Sequence, residues 1–261
     1  MLDVKHISKT FNAGTINEKR ALIDLDLHLV PGDFVTVIGG NGAGKSTMLN
    51  AIAGVWPIDG GRVIIDGQDV TGLPEYRRAS LIGRVFQDPM MGTAPDMQIE
   101  ENLALAARRG KLRGLRWGVT AREREVYHDL LATLGLGLED RMTVKVGLLS
   151  GGQRQALTLL MAAQQNPKLL LLDEHTAALD PTTAEKVLEL SDRIVREKNL
   201  TALMITHNMA DALRLGNRLI MMNQGRIVFD VSGEEKKSLT RRDLLDAFAK
   251  VREETDSVLL S

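Results

Sequence analysis

The densest chemistry in the chain is the run GGNGAGKST at positions 39–47. Gly39, Gly42 and Gly44, with the small Asn41 and Ala43 between them, allow a tight loop whose amide N–H groups point inward. Lys45 adds a point charge, and Ser46 and Thr47 add hydroxyls. An apolar run, FVTVI, precedes the loop and a helical pattern, STMLNAIAG, follows it. A strand, a glycine loop and a helix N-terminus in that order make a cradle for phosphates. Lys45 can reach the β- and γ-phosphates of a nucleotide, and Ser46 Oγ can ligate Mg²⁺.

A magnesium ion needs a carboxylate, which is expected at the end of a buried strand. LLLLDE (169–174) places four leucines before Asp173. A buried acid there without a counter-charge would be costly, so a cation is the expected reason for keeping it. Glu174 follows, where a carboxylate can orient and polarise an attacking water. His207 closes another apolar run, MITH, at the same end of the expected sheet. Gln87, in VFQD, ends a further candidate strand and is expected to touch Mg²⁺ or the water. His6, His28 and His128 have no such setting and are read as structural or surface residues.

A second anion-binding pattern stands more than a hundred residues later. Ser150, Gly151 and Gly152, followed by Gln153, open the helical run QRQALTLLMAA, so a hydroxyl, amides and a helix N-terminus converge on one point. Within a single chain that anion has no obvious place to be.

The elements that must position these groups are legible from periodicity. Residues 2–7 and 21–30 read as strands, PGD leads into strand 34–39, and GRVIIDGQDV (61–70) is broken by an Asp-Gly turn. Helical periodicity dominates from Asp88 to Ser150, with 101–109 and 122–135 clearest. After Ser150 the order is helix, strand, helix, strand, helix and a hairpin across MNQGR, the βαβ alternation of a mostly parallel sheet. Residues 234–254 form a charged amphipathic pattern, read as a packed C-terminal helix. Arg108, Arg109, Lys111, Arg113, Arg116, Arg122 and Arg124 face only Glu123 across 108–124. This run is either a solvated loop between two helices or a surface for anionic headgroups or an acidic partner.

The 261 residues carry 33 basic and 34 acidic side chains, a net charge of −1 that argues against a surface wrapping duplex DNA. Trp117 is the one aromatic within the basic run, which also disfavours nucleic acid. The chain has no cysteine, hence neither disulfides nor thiolate metal sites, and no apolar run long enough to span a bilayer.

Taken together and in order, these motifs resemble the ATP-binding subunit of an ABC transporter over residues 2–230. GGNGAGKST is similar to the Walker A motif, LLLLDE to Walker B, VFQD to the Q-loop, LSGGQ to the signature, AALD (177–180) to the D-loop and ITH to the switch histidine. The resemblance implies an α/β fold, a P-loop NTPase of the ABC ATPase type: a mostly parallel core sheet, an N-terminal antiparallel β subdomain and an inserted helical lobe. The expected division is 1–87 and 151–230 for the ATP-binding core, 88–150 for the lobe and 231–261 for a C-terminal extension. It implies ATP and Mg²⁺ as cofactors, hydrolysis by Glu174 with His207, Gln87 and Lys45, and metal contacts from Ser46, Gln87 and Asp173.

It also implies that Phe11 stacks on adenine and that two cassettes pair head to tail. Ser150–Gln153 of each copy, with Asp180 of the D-loop, would then cap the ATP of the other; the second cradle holds the partner's nucleotide. A separate integral membrane permease would dock near Gln87 and residues 90–102 of the lobe. That would place the chain at the cytoplasmic face of the membrane, peripheral through the permease. Import of a small solute such as an amino acid is expected, with an extracytoplasmic solute-binding protein in the complete system. The alternatives are a soluble ABC ATPase acting on a non-permease partner and a nucleic-acid ATPase; the latter lacks its usual coiled-coil insertion or second cassette here. The run DEHTAALD departs from the family in His175, where proline is usual, and Ala177, where serine is usual. His175 either makes a polar contact near the dimer seam or fills the same turn.

Overall fold

The computed structural model describes residues 1–111 and 118–259, in two compact units: Met1–Glu75 with Thr201–Ser261, and Tyr76–Leu200.

The first unit holds β1 (Leu2–Phe11), β2 (Lys19–Leu29), β3 (Phe34–Gly39), α1 (Lys45–Ala53), β4 (Gly60–Ile65) and β5 (Gln68–Asp69). Strands β2, β1, β4 and β5 form an antiparallel sheet in that order. In β2 the buried Leu25, Leu27 and Leu29 alternate with exposed Asp26 and His28, so period two turns one face to the core. Strand β1 runs four residues beyond the expected Ile7, and pairing with β2 carries Phe11 opposite Lys19. The predicted Asp-Gly turn is present, with Asp66 and Gly67 at φ 51° and 78° between β4 and β5.

Strand β3 is buried along its whole length. It pairs in parallel with β8 (Thr201–Ile205) on one side and β9 (Arg218–Asn223) on the other. The hairpin to β10 (Arg226–Ser232) turns on Gln224 and Gly225, both at positive φ. Helix α7 (Met209–Arg214) packs on β3. The charged C-terminal pattern forms α8 (Gly233–Ser238) and α9 (Arg241–Leu259). Leu244, fully buried, packs with Ala212, Leu219, Met221 and Val231 and draws in Phe248. Burial of that apolar stripe docks the helix as its sequence pattern indicates.

The second unit follows α2 (Glu75–Arg78). Strands β6 (Ile82–Val85) and β7 (Leu169–Asp173) pair in parallel, Ile82 against Leu169 through Val85 against Leu172. All four leucines of β7 are completely buried. Between these strands run α3 (Ile99–Ala107), α4 (Ala121–Ala132), two short 3-10 turns and α5 (Gly151–Ala163); α6 (Pro181–Glu197) follows β7. Helix α5 packs against β6, α3 and α6.

In the described part of the basic run 108–124, Lys111 and Arg122 are exposed, whereas three arginines make specific contacts. Arg124 clasps the buried Glu100 in a bidentate pair (2.6 and 2.7 Å), Arg108 pairs with Glu123 (2.8 Å), and Arg109 donates to the Ala162 carbonyl (3.2 Å). These side chains bind the helices to one another, while Arg124 remains 49% exposed. Sequence periodicity does not show that Glu100 is buried and needs a cation. Arg113, Arg116 and Trp117 lie outside the described residues. Among the described residues, no helix is long and apolar enough to cross a membrane.

Candidate functional site

The first unit positions the loop 39–47. Val37 pairs with Ile205, the last residue of β8, and Gly39 and His207 each follow two residues later in the chain. Gly39, at φ 154°, lies so close to the Met222 carbonyl that a Cβ would collide with it. Gly44, at φ 102°, would put a Cβ 2.6 Å from the Ala21 carbonyl. The loop is therefore walled in by β2 and the β9–β10 turn, and the Gly225 amide bonds the Ala43 carbonyl at 2.9 Å. Gly44 is also the N-cap of α1, where no side chain caps the first turn. Lys45, 5% exposed, donates to the Gly39 and Gly40 carbonyls at 2.8 and 3.1 Å, which holds its ammonium inside the loop's curve. Asn41, Gly42 and Ser46 are exposed, Thr47 is half-buried, and Ala43 is buried.

Phe11 ends β1 with Trp56 edge-on to its ring, centroids 5.0 Å apart at 83°, and the Lys9 ammonium lies 5.6 Å from the ring centroid. Lys19, opposite Phe11 in the ladder, reaches the phosphate loop: its Nζ lies 3.5 Å from where a Cβ on Gly42 would stand. His207 is exposed beyond β8, and Asn208 after it caps α7 by accepting from the Ala210 amide at 2.9 Å.

The second unit holds Gln87, Asp173, Glu174, Asp180 and the signature residues. Val85 pairs with Leu172; Gln87 lies two residues beyond the end of β6, and Glu174 directly follows β7. Asp173 is 15% exposed and Gln87 is exposed. Glu174 adopts φ 46°, a left-handed conformation uncommon outside glycine, held by the turn in which the Ala177 amide bonds the Glu174 carbonyl at 2.9 Å. Asp180 caps α6, its Oδ1 accepting from the Thr183 amide at 3.1 Å ahead of Pro181. Hydrogen bonding from Thr183 holds this carboxyl below the usual range.

Ser150 caps α5 in a reciprocal box: its Oγ accepts from the Gln153 amide, and Gln153 Oε1 accepts from the Ser150 amide, each at 3.2 Å. The amides of Gly151 and Gly152 and the Ser150 hydroxyl proton remain at the helix start. Gly152 is buried where a Cβ would strike the Thr183 side chain, whereas one on Gly151 would meet only Leu179 Cδ2, at 3.4 Å. Behind the signature, buried Arg154 donates to the Val146 and Gly147 carbonyls (3.0 and 2.9 Å) and to Met90 Sδ, tying this helix to the segment after Gln87.

His175 turns inward. It is 1% exposed and its Nε2 lies 2.8 Å from Ser191 Oγ, which itself donates to the Val187 carbonyl. Nε2 therefore donates, and burial lowers the imidazole pKa to about 4, leaving the ring neutral. The side chain fills the turn and fastens it to α6.

The sequence reading missed Arg84. Its guanidinium lies 3.6 Å from Asp173 Oδ2 and 4.5 Å from the Phe86 ring centroid. The expected reason for an ion at Asp173, a buried acid without a counter-charge, is thus incomplete: the chain supplies one positive charge itself. The signal was available, since Arg84 is a lone cation in an otherwise apolar strand. Trp56 and Lys19 were also missed, because only the fold brings them to Phe11 and Gly42. The side-chain oxygens of Gln87 and Asp173 are of the kind that a hard ion such as Mg²⁺ takes.

The sequence profile of the ABC transporter family matches residues 22–177. The tyrosine transport ATP-binding protein of Clostridioides difficile is 46% identical over 95% of this chain and 98% of its own. The methionine import ATP-binding protein MetN 2 of Enterococcus faecalis is 34% identical, over 99% of this chain and 74% of its own. Among solved structures, a dimeric ATP-binding cassette in a post-hydrolysis state with ADP and phosphate superposes with a TM-score of 0.75 at 31% identity, covering 89% of this chain and 98% of that one. The fold is that of a P-loop ABC ATPase, and the chain is an ATP-binding, ATP-hydrolysing subunit of the ABC transporter family.

Proposed function

We propose that this subunit drives uptake of an amino acid through a separate permease, as one of two identical cassettes paired head to tail at the cytoplasmic face of the membrane. In this reading Phe11, braced by Trp56, stacks on adenine. The amides of Asn41–Thr47 and the Lys45 ammonium hold the phosphates. Ser150–Gln153 of the other copy close over the γ-phosphate, with Asp180 fixing the start of α6 behind them. Ser46, Asp173 and Gln87 would hold Mg²⁺, which when bound neutralises charge on the β- and γ-phosphates. Glu174 accepts a proton from the attacking water and His207 positions that water against the phosphate.

The observation that carries the reading is the second helix N-terminus, at α5. It is capped, with Ser150 and Gly151 exposed. The permease would contact the segment headed by exposed Met90 and Met91, and a solute-binding protein would complete the system. The 46% identity to a tyrosine transport subunit across nearly the whole chain supports an amino acid, in particular an aromatic one, as the solute.

Glu174→Gln tests the mechanism: turnover is expected to fall by about 10²-fold or more while ATP stays bound. An ATP-dependent doubling of mass by light scattering should accompany it. Turnover like that of the wild type would assign the water to another group. Uptake of labelled tyrosine by vesicles holding the co-purified permease tests the solute; transport of another solute class and not of tyrosine would overturn it.

A further inference from the structure

We infer that Arg84 is a built-in counter-ion to Asp173 that sets how readily this subunit takes up its divalent cation, an inference that rests on the reading of Asp173 as a metal ligand. The argument begins with strand geometry. Arg84 pairs with Leu171 in the parallel ladder, and side chains two apart share a face, so Arg84, Phe86, Leu171 and Asp173 all lie on one side of β6 and β7. The arginine is 12% exposed and the aspartate 15%, and Arg84 NH2 stands 3.6 Å from Asp173 Oδ2. The Phe86 ring, 4.5 Å from the guanidinium carbon, supports the cation by its π face and restricts its side-chain torsions. The Gln155 amide fixes the Phe86 carbonyl at 3.1 Å, so the strand end carrying this ring is itself anchored to α5.

A guanidinium so placed has two consequences. Without a divalent ion it offsets the desolvation of Asp173, which can then remain charged and ordered at the strand end. When Mg²⁺ approaches, the same positive charge opposes it, because both cations draw on one carboxylate in a partly buried setting where screening is weak. Arg84 thus keeps the carboxylate prepared and lowers its affinity for the metal, acting as a positioning residue through Asp173. Metal is then retained chiefly when the nucleotide phosphates add their own negative charge, which couples the ion to ATP rather than to the empty subunit.

The test uses the full chain with a non-hydrolysable ATP analogue and Mn²⁺ as the probe, free Mn²⁺ being read by electron paramagnetic resonance. Arg84→Met is expected to tighten Mn²⁺ in the ternary complex by about tenfold, from the lost charge repulsion. Arg84→Lys, which keeps the charge, should stay within about threefold of the wild type. Arg84→Gln, neutral but polar toward Asp173, carries the same expectation as the methionine variant and replaces it if that chain does not fold. Unchanged or weaker Mn²⁺ binding in a folded neutral variant would overturn the role of Arg84 alone. A wild-type protein that binds the analogue but no Mn²⁺ with it, and an Asp173→Asn variant that binds Mn²⁺ as the wild type does, would each overturn the metal reading of Asp173 and this proposal with it.

Discussion

The starts of α1 and α5 are two solutions to the same problem. Both present free amides and the positive end of a helix, yet one is enclosed and the other open. At α1 the cap is Gly44, with no side chain bonding the first turn, and the loop before it is walled by the Ala21 and Met222 carbonyls. At α5 the cap is Ser150, locked to Gln153, and the exposed Gly151 has room for a Cβ. The difference teaches which start can hold an anion unaided. An uncapped turn leaves its amides to the ligand, and Lys45 adds a full charge. A capped turn has already given the Gln153 amide to Ser150, so it contributes less and is suited to closing over a phosphate that something else holds.

The variant expected to show the largest effect is Gly151→Asp. A carboxylate at the open start should block closure on the γ-phosphate, so hydrolysis falls by about 10²-fold or more while ATP binding to the monomer stays within twofold. Calorimetry and sedimentation at saturating ATP measure the two. Normal dimerisation and turnover would break the comparison by showing that α5 caps no nucleotide. Mixing this variant with Lys45→Ala should partly restore ATP-driven association, because one composite site of the mixed dimer is intact.

Lys45→Ala probes the enclosed start. Loss of one charge-assisted contact to phosphate is expected to weaken ATP binding by about 10- to 50-fold, measured by calorimetry. Affinity unchanged within twofold would mean that the loop amides suffice. Ser150→Ala should cost about 1 kcal/mol of stability through the lost cap, read by chemical denaturation, and should also slow hydrolysis; no stability change would show that the box is not formed in solution.

The smallest effect concerns a lysine that resembles Lys45 in burial and bonding but not in role. Lys236 is 3% exposed and donates to the Leu215 and Gly216 carbonyls at the end of α7, a helix C-terminus where a cation is favoured. Burial nevertheless pushes its ammonium down to about 8. The folded value lies below the unfolded one, so the unfolded chain binds more protons between about pH 8 and 10.5, and stability rises with pH across that window. Relative to Lys236→Met, the wild type should gain roughly 1–2 kcal/mol between pH 7.5 and 9.5, measured by paired urea titrations. ATP affinity should not change in this variant, which separates a lysine that closes a helix from one that awaits phosphate.

Much of the site was legible because its residues are close in sequence. A glycine loop between an apolar strand and a helix, a carboxylate pair after four leucines and a serine–glycine helix start each declare themselves within ten residues. The polarity of Lys45, Glu174 and Ser150 and the periodicity around them are local properties, so the chain alone determined the strands, the helix starts and the family. Other features depend on which residues meet across elements. Arg84 reaches Asp173 only because β6 and β7 pair in parallel with a register that puts both on one face. Phe11 gains Trp56 through a contact spanning 45 positions, and Lys19 comes over Gly42 through the β1–β2 ladder. His175 and the arginines around Glu100 were ambiguous in sequence, since a charged or polar side chain carries no mark of whether it will be buried. Burial and register are sums over the whole fold, and only tertiary structure decided them: desolvation made His175 a neutral donor to Ser191, and helix packing set Arg124 and Arg108 against Glu100 and Glu123.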